Sequence, residues 1–167
     1  FSTAALLYAG ACLSSFLLGK VARSSGAPLR RAHLTRLLAV ALVGAGVAPT
    51  LLAWGLQHAG ATTGSLLLNL EAVFTVLLAW LLYREPVGRR VAVALVLMAL
   101  GGVALGLDAA QATTWNVLGA LAIAGATAAW ALDNALSRGL AEQDPVLVVA
   151  SKGALGALIT GAAALGL

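Results

Sequence analysis

Charged residues are scarce in this sequence. Ten basic and six acidic residues make up only 10% of its 167 positions, whereas an ordinary soluble domain carries about 25%. So few charges cannot cover a soluble globule, and they also exclude a disordered tail. The formal net charge of +4 does not by itself indicate a nucleic-acid partner, because the positions of the cations matter more than their sum.

Cysteine and catalytic motifs are also missing or rare. Cys12 is the single cysteine, which excludes an internal disulfide and a multi-cysteine metal site. The sequence has no HExxH, no GxSxG and no Cys/His cluster, so hydrolase and metal chemistry have no support. We therefore expect no catalytic residues, no metal and no other cofactor.

Apolar residues dominate the chain instead, at 61% of all positions. Polar gaps divide them into six runs, at 1–19, 37–56, 64–83, 91–107, 117–136 and 146–167. Each run approaches the ~20 residues that a helix needs to cross the hydrocarbon core of a bilayer. Ala and Leu predominate without strand-like alternation, so the sequence predicts an all-α polytopic membrane protein, a helical bundle in the lipid bilayer.

Residues that begin, end or bend helices lie at or near the ends of these runs. Asn116 can cap the fifth run, and Asp144 followed by Pro145 has the pattern of a helix N-terminus. Pro86 ends the third run because proline cannot continue a helix. Pro49 interrupts the second run and predicts a helix kink, either a plain packing kink or a break beside a substrate site.

Lysine and arginine lie in alternate gaps. The gaps at 57–63 and 108–116 contain neither, and the other gaps hold Lys20, Arg23, Arg30, Arg31, Arg36, Arg84, Arg89, Arg90 and Arg138. Because positive charge is enriched in cytoplasmic loops, we expect the basic gaps inside and the first run crossing from outside to inside. This topology explains the basic cluster at 30–36 without phosphate binding, so no nucleic-acid partner is expected.

Three ionisable residues lie at membrane depth. Glu71 has apolar neighbours on both sides in the third run, Asp133 is near the inner end of the fifth, and Lys152 is in the sixth. An uncompensated charge at the bilayer centre costs at least ~2.5–3.5 kcal/mol. Asp133 and Lys152 both lie toward the expected cytoplasmic side of the membrane, whereas Glu71 lies deeper. We therefore favour Asp133 as the counter-ion of Lys152, and Glu71 is the other candidate.

Glu71 would then be free for a substrate or a proton. We predict a substrate or proton site formed by Glu71, Asn69, Trp130 and Asn134. Two alternatives remain open: Glu71 belongs to a static buried pair or makes an internal hydrogen bond that fixes the bundle, or Trp130 only packs between helices.

The segment GATTGSLLLNLEAVFT at 60–75, followed by LLYRE at 81–85 and GGVAL at 101–105, resembles EamA-type transporters of the drug/metabolite transporter superfamily. The later segments WALDN at 130–134, Arg138, Asp144-Pro145 and Lys152-Gly153 are similar to the start of that family's second repeat. The resemblance implies ten spans in two inverted five-helix repeats. Many members have a proline near the middle of span four, where this chain has Glu71 and Ala72.

On this resemblance the chain carries spans two to seven of a longer protein. Residues 1–107 would form the first repeat without its first span, 108–116 an external loop, and 117–167 the start of the second repeat. The implied function is secondary transport of small metabolites or drugs across a bacterial-type inner membrane, with proton coupling left open. The alternative is a non-transporting scaffold or assembly subunit. The expected partners are a small-molecule substrate and the bilayer, and a homo-oligomer is left open.

Overall fold

A computed structural model describes residues 2–21, 33–110 and 116–166. The elements in chain order are α1 (Ser2–Val21), α2 (Leu34–Ala41), a π-helical segment (Leu42–Val47), α3 (Ala48–Leu67), α4 (Leu70–Tyr83), α5 (Arg89–Ala110), α6 (Val117–Arg138) and α7 (Pro145–Leu165). Within the described residues the six predicted runs are helical, except that a turn at Leu68 and Asn69 divides the third between α3 and α4, and the described ranges contain no strand. The predicted all-α class is confirmed.

Three of the described helical stretches have the length and composition of membrane-spanning segments. Within the described residues, three stretches are long and apolar enough to cross a bilayer: Leu34–Leu67, Val117–Arg138 and Pro145–Leu165. The apolar helices Ala4–Gly19 and Leu70–Tyr83 are shorter. Large apolar side chains such as Leu6, Leu81 and Leu158 are more than half exposed, which is favourable against lipid and unfavourable against water.

Local capping sets several helix ends as the sequence predicts. The Asn116 Oδ1 accepts a 2.9 Å hydrogen bond from the Gly119 N–H at the start of α6. The Asp144 carboxylate accepts from the Val146 and Leu147 N–H groups, with Pro145 in the first turn of α7. These bonds satisfy backbone donors that the first helical turn leaves unpaired.

The second and third runs are connected differently from the prediction. The predicted loop at 57–63 is helical in α3 except at Gly60, whose φ of 81° and ψ of 161° interrupt the helix at one residue. Only glycine adopts this backbone region readily, because a side chain would clash. A single glycine therefore makes the turn for which the sequence pattern suggested seven residues.

The chain divides into two compact units. The first comprises residues up to 49 together with those from 136 onward, and the second comprises residues 50–135. These are units of spatial packing, so the repeat boundaries near 107 and 117 stay a prediction. The external loop predicted at 108–116 begins as helix, since α5 continues to Ala110, and residues 111–115 lie outside the described residues.

Small residues bring the helices close together inside each unit. In the first unit, a Cβ built on Gly153 of α7 would lie 2.9 Å from the Cys12 backbone nitrogen of α1. In the second, a Cβ built on Gly55 of α3 would lie 2.8 Å from the Gly119 carbonyl oxygen of α6. Such close backbone approach is the usual basis of helix association in lipid, where apolar burial supplies little driving force.

Candidate functional site: a polar groove at an interrupted helix

The helical path is interrupted at Leu68 and Asn69, between α3 and α4. The Asn69 N–H donates to the Leu66 carbonyl at 3.3 Å, and the Glu71 N–H donates to the Leu68 carbonyl at 3.1 Å. Each of these bonds reaches the carbonyl three residues earlier, whereas an α-helical bond reaches the carbonyl four residues earlier. The Asn69 side-chain nitrogen donates to the carbonyls of Ser65 and Leu66. The Asn69 amide therefore supplies a donor to backbone carbonyls near the C-terminal end of α3.

Glu71 lies in the first turn of α4, directly after this interruption. The Asn134 Nδ2 of α6 donates a 3.0 Å hydrogen bond to the Glu71 Oε1. Both residues belong to the second unit. The structure therefore brings two of the predicted site residues into direct contact and places the third, Asn69, two positions before Glu71.

An open groove of about 430 Å³ lies beside Glu71. Asn69, Glu71 and Thr75 supply its polar lining, and its apolar lining comes from Leu68, Ala72, Val76 and Met98. This mixture of apolar wall and a few polar groups is typical of small-molecule sites. Thr75 follows Glu71 by one helical turn, so helical spacing could have identified it, whereas Met98 of α5 has no distinguishing sequence signal.

A second contact joins α4 to the same part of α6. The Tyr83 hydroxyl, at the far end of α4, donates a 2.6 Å hydrogen bond to the Ala135 carbonyl. Glu71 and Tyr83 thus reach adjacent residues of α6 from opposite ends of α4. The two bonds fix the position of α4 along α6 and with it the position of the Glu71 carboxylate.

The other predicted site residues lie away from the groove or outside this unit. Trp130 lies one turn before Asn134 on α6 and is not among the described residues that line the groove. Asp133 is buried, with 5% of its surface exposed, and Lys152 is half-buried on α7. Asp133 and Lys152 belong to different units, and their pairing stays a prediction.

The π-helical segment lies immediately before Pro49 in the first unit. The Ala48 N–H bonds to the Val43 carbonyl five residues earlier. The next bond of this series would run from Pro49 to Gly44, but proline has no N–H. The Tyr8 hydroxyl of α1 donates to the Gly44 carbonyl at 3.2 Å. Sequence reasoning identified Pro49 and missed Tyr8, because the partner comes from a distant helix.

Long apolar helices with exposed apolar side chains and an open groove with a few polar groups are the features expected of an integral membrane protein. The family model for the EamA-like transporter family matches residues 1–107. This chain belongs to that family.

A curated relative supports the assignment. An uncharacterized transporter of Methanothermobacter thermautotrophicus is 31% identical over 139 residues, which cover 81% of this chain. The chain spans about 40% of the length of that relative. No solved structure matches the chain.

Proposed function

We propose that the protein is a secondary transporter that moves small metabolites or drugs across a bacterial-type inner membrane and that Glu71 couples this movement to protons. The observation that supports the proposal most directly is the Glu71–Asn134 hydrogen bond at the interrupted helix. Interrupted helices in transporters provide polar groups at membrane depth, and ionisable residues there commonly mark substrate or proton pathways.

The hydrogen bond is compatible with a proton arriving and leaving. An ionised Glu71 accepts from Asn134 through Oε1, and the other oxygen, Oε2, can take up a proton while Oε1 continues to accept. The amide of Asn134 has no charge to neutralise the carboxylate. Proton uptake would therefore change the charge in the groove without breaking the contact that positions Glu71.

Transport into proteoliposomes tests this function. Vesicles containing the protein are given a mixture of amino acids, amines and nucleosides under an imposed pH gradient, and their contents are measured by mass spectrometry. At least one solute should accumulate, with a rate that depends on the gradient. The Glu71→Gln variant should lose the pH dependence, whereas the matched variant Glu142→Gln, which removes an exposed carboxylate, should keep it.

A scaffold or assembly subunit is the alternative function. It predicts that no solute moves under any gradient, although the protein inserts and folds. If transport by the Glu71→Gln variant still depends on pH, Glu71 does not couple transport to protons, although the transport function itself holds.

A further inference from the structure

Hydrogen-bond acceptors predominate among the polar atoms around the groove. The Asn69 side-chain nitrogen is occupied by two backbone carbonyls, so the amide offers its Oδ1 to a ligand. Glu71 uses Oε1 for Asn134 and retains Oε2. Thr75 can donate or accept, and the Met98 sulfur is a weak acceptor. A ligand that fits these atoms must bring donors of its own.

The described residues also leave the Glu71 carboxylate without a cationic partner. Its polar contact in this part of the chain is with the neutral amide of Asn134, and the described groove lining contains no lysine, arginine or histidine. A carboxylate in an apolar surrounding is stabilised by a positive charge close to it, and Glu71 lies beside an aliphatic groove wall. A substrate can supply that charge, whereas a bound anion would be repelled.

The apolar lining limits the rest of the ligand. Leu68, Ala72 and Val76 present aliphatic surface next to the acceptors, and the volume of about 430 Å³ fits a small molecule. The complementary ligand therefore has a compact charged head and a short apolar body.

We propose that this groove binds small organic ammonium ions, that is, protonated amines. The ammonium pairs with the Glu71 Oε2, donates to the Asn69 Oδ1, and places its apolar part against Leu68 and Val76. This inference rests on the proposed transport function and names its substrate class. It excludes carboxylates and phosphates as substrates of this groove.

Equilibrium binding to the protein in lipid nanodiscs tests the substrate class without requiring transport. The probes are 2-phenylethylammonium, the neutral 2-phenylethanol and the anionic 3-phenylpropanoate, measured by calorimetry with empty nanodiscs as the reference for partitioning into lipid. The ammonium should bind at least about tenfold more tightly than the alcohol, because hydrogen bonds between a charged donor and a carboxylate are stronger than those of a neutral donor. The anion should bind more weakly than either.

Variants assign that preference to the groove. Glu71→Gln should remove the difference between ammonium and alcohol, and Glu142→Gln should leave it unchanged. An anion that binds as well as the ammonium, a preference that survives in Glu71→Gln, or no binding of any probe would overturn the inference. The comparison of probes on the unmodified protein stands even if Glu71→Gln does not fold.

Transport measurements separate this inference from the proposed function. If the vesicles accumulate only anions, the transport function holds and the amine assignment is wrong. If the ammonium binds in a Glu71-dependent way but no solute moves, the amine site holds and the transport function is wrong.

Discussion

The Asn134 amide donates a 3.0 Å hydrogen bond to the Glu71 carboxylate, and this contact joins α6 to the first turn of α4. Polar contacts between the helices of membrane proteins contribute on average ~0.6 kcal/mol and rarely more than ~1.7 kcal/mol. The contact therefore contributes modestly to stability, and its main effect is to position the carboxylate.

A double-mutant cycle measures this contact. We expect Glu71→Ala and Asn134→Ala to show a coupling of about 1 kcal/mol in the free energy of unfolding, measured by denaturation in mixed micelles. As a control, Glu142→Ala combined with Asn134→Ala should be additive, because Glu142 is exposed and lies outside the second unit. Additivity between Glu71 and Asn134 would show that the hydrogen bond does not form in the folded protein.

The sequence predicts the helices well because their signals are local. Apolar runs, the Asn116 and Asp144 caps and the stop before Pro86 all act within a few residues, and the structure contains each of them. Helix ends depend on hydrogen bonds between near neighbours, so a single sequence carries enough information to place them.

The partner of Glu71 could not be predicted from depth along the helices. At 1.5 Å per residue, Glu71 lies about 10 Å from residue 64 and Asn134 about 25 Å from residue 117, so distance along the helices gives no reason for a direct contact, although both residues belong to the site predicted from the sequence. The contact joins the first turn of α4, which begins after Leu68 and Asn69, to a distant residue of α6, and no local sequence signal specifies such a tertiary contact. The membrane orientation, which uses only loop charges, stays a prediction.

The Tyr8 hydroxyl should replace the backbone donor that Pro49 lacks. Tyr8→Phe removes the hydrogen bond to the Gly44 carbonyl and should lower the free energy of unfolding by about 1 kcal/mol. In a Pro49→Ala background a backbone N–H becomes available to the same carbonyl, so Tyr8→Phe should cost less there. Thermal unfolding of the four proteins in detergent measures both costs.

A second tyrosine provides the control for this prediction. Tyr83 donates to Ala135 in the other unit, so the cost of Tyr83→Phe should be the same with and without Pro49→Ala. If Pro49→Ala leaves the cost of Tyr8→Phe unchanged, the hydroxyl does not compensate for the proline.

Close packing of α1 against α7 makes Gly153 intolerant of a side chain. A Cβ at this position would lie 2.9 Å from both the Cys12 nitrogen and the Tyr8 carbonyl oxygen, and backbone atoms cannot move away as a flexible side chain can. Gly153→Ala should therefore lower the free energy of unfolding by about 1–3 kcal/mol, in the range of other overpacked sites. Denaturation in mixed micelles measures the loss.

Gly161 of the same helix is the matched control, since a Cβ there has no described neighbour within 4 Å. Gly161→Ala should be neutral or stabilising, because alanine has the higher helix propensity. Equal destabilisation by both substitutions would contradict a specific role for the α1–α7 contact at Gly153, because helix propensity favours alanine at both positions.

The charge pair predicted between Asp133 and Lys152 has a direct energetic test. Asp133 is buried, and removing one partner of a buried pair leaves the other charge uncompensated, which typically costs ~3–5 kcal/mol. Asp133→Asn and Lys152→Met should each destabilise the protein strongly, and the double variant should cost clearly less than their sum.

Glu71 is the competing partner for Lys152. Asp133 precedes Asn134, the residue that contacts Glu71, by one position, and successive residues of a helix differ by only about 1.5 Å along its axis. Depth therefore separates the two carboxylates poorly, and the measured coupling has to decide between them. Additivity of Asp133→Asn with Lys152→Met, together with strong coupling of Glu71→Gln to Lys152→Met, would assign the lysine to the groove. It would also contradict an ammonium site there, because Glu71 would already have a cation of the protein beside it.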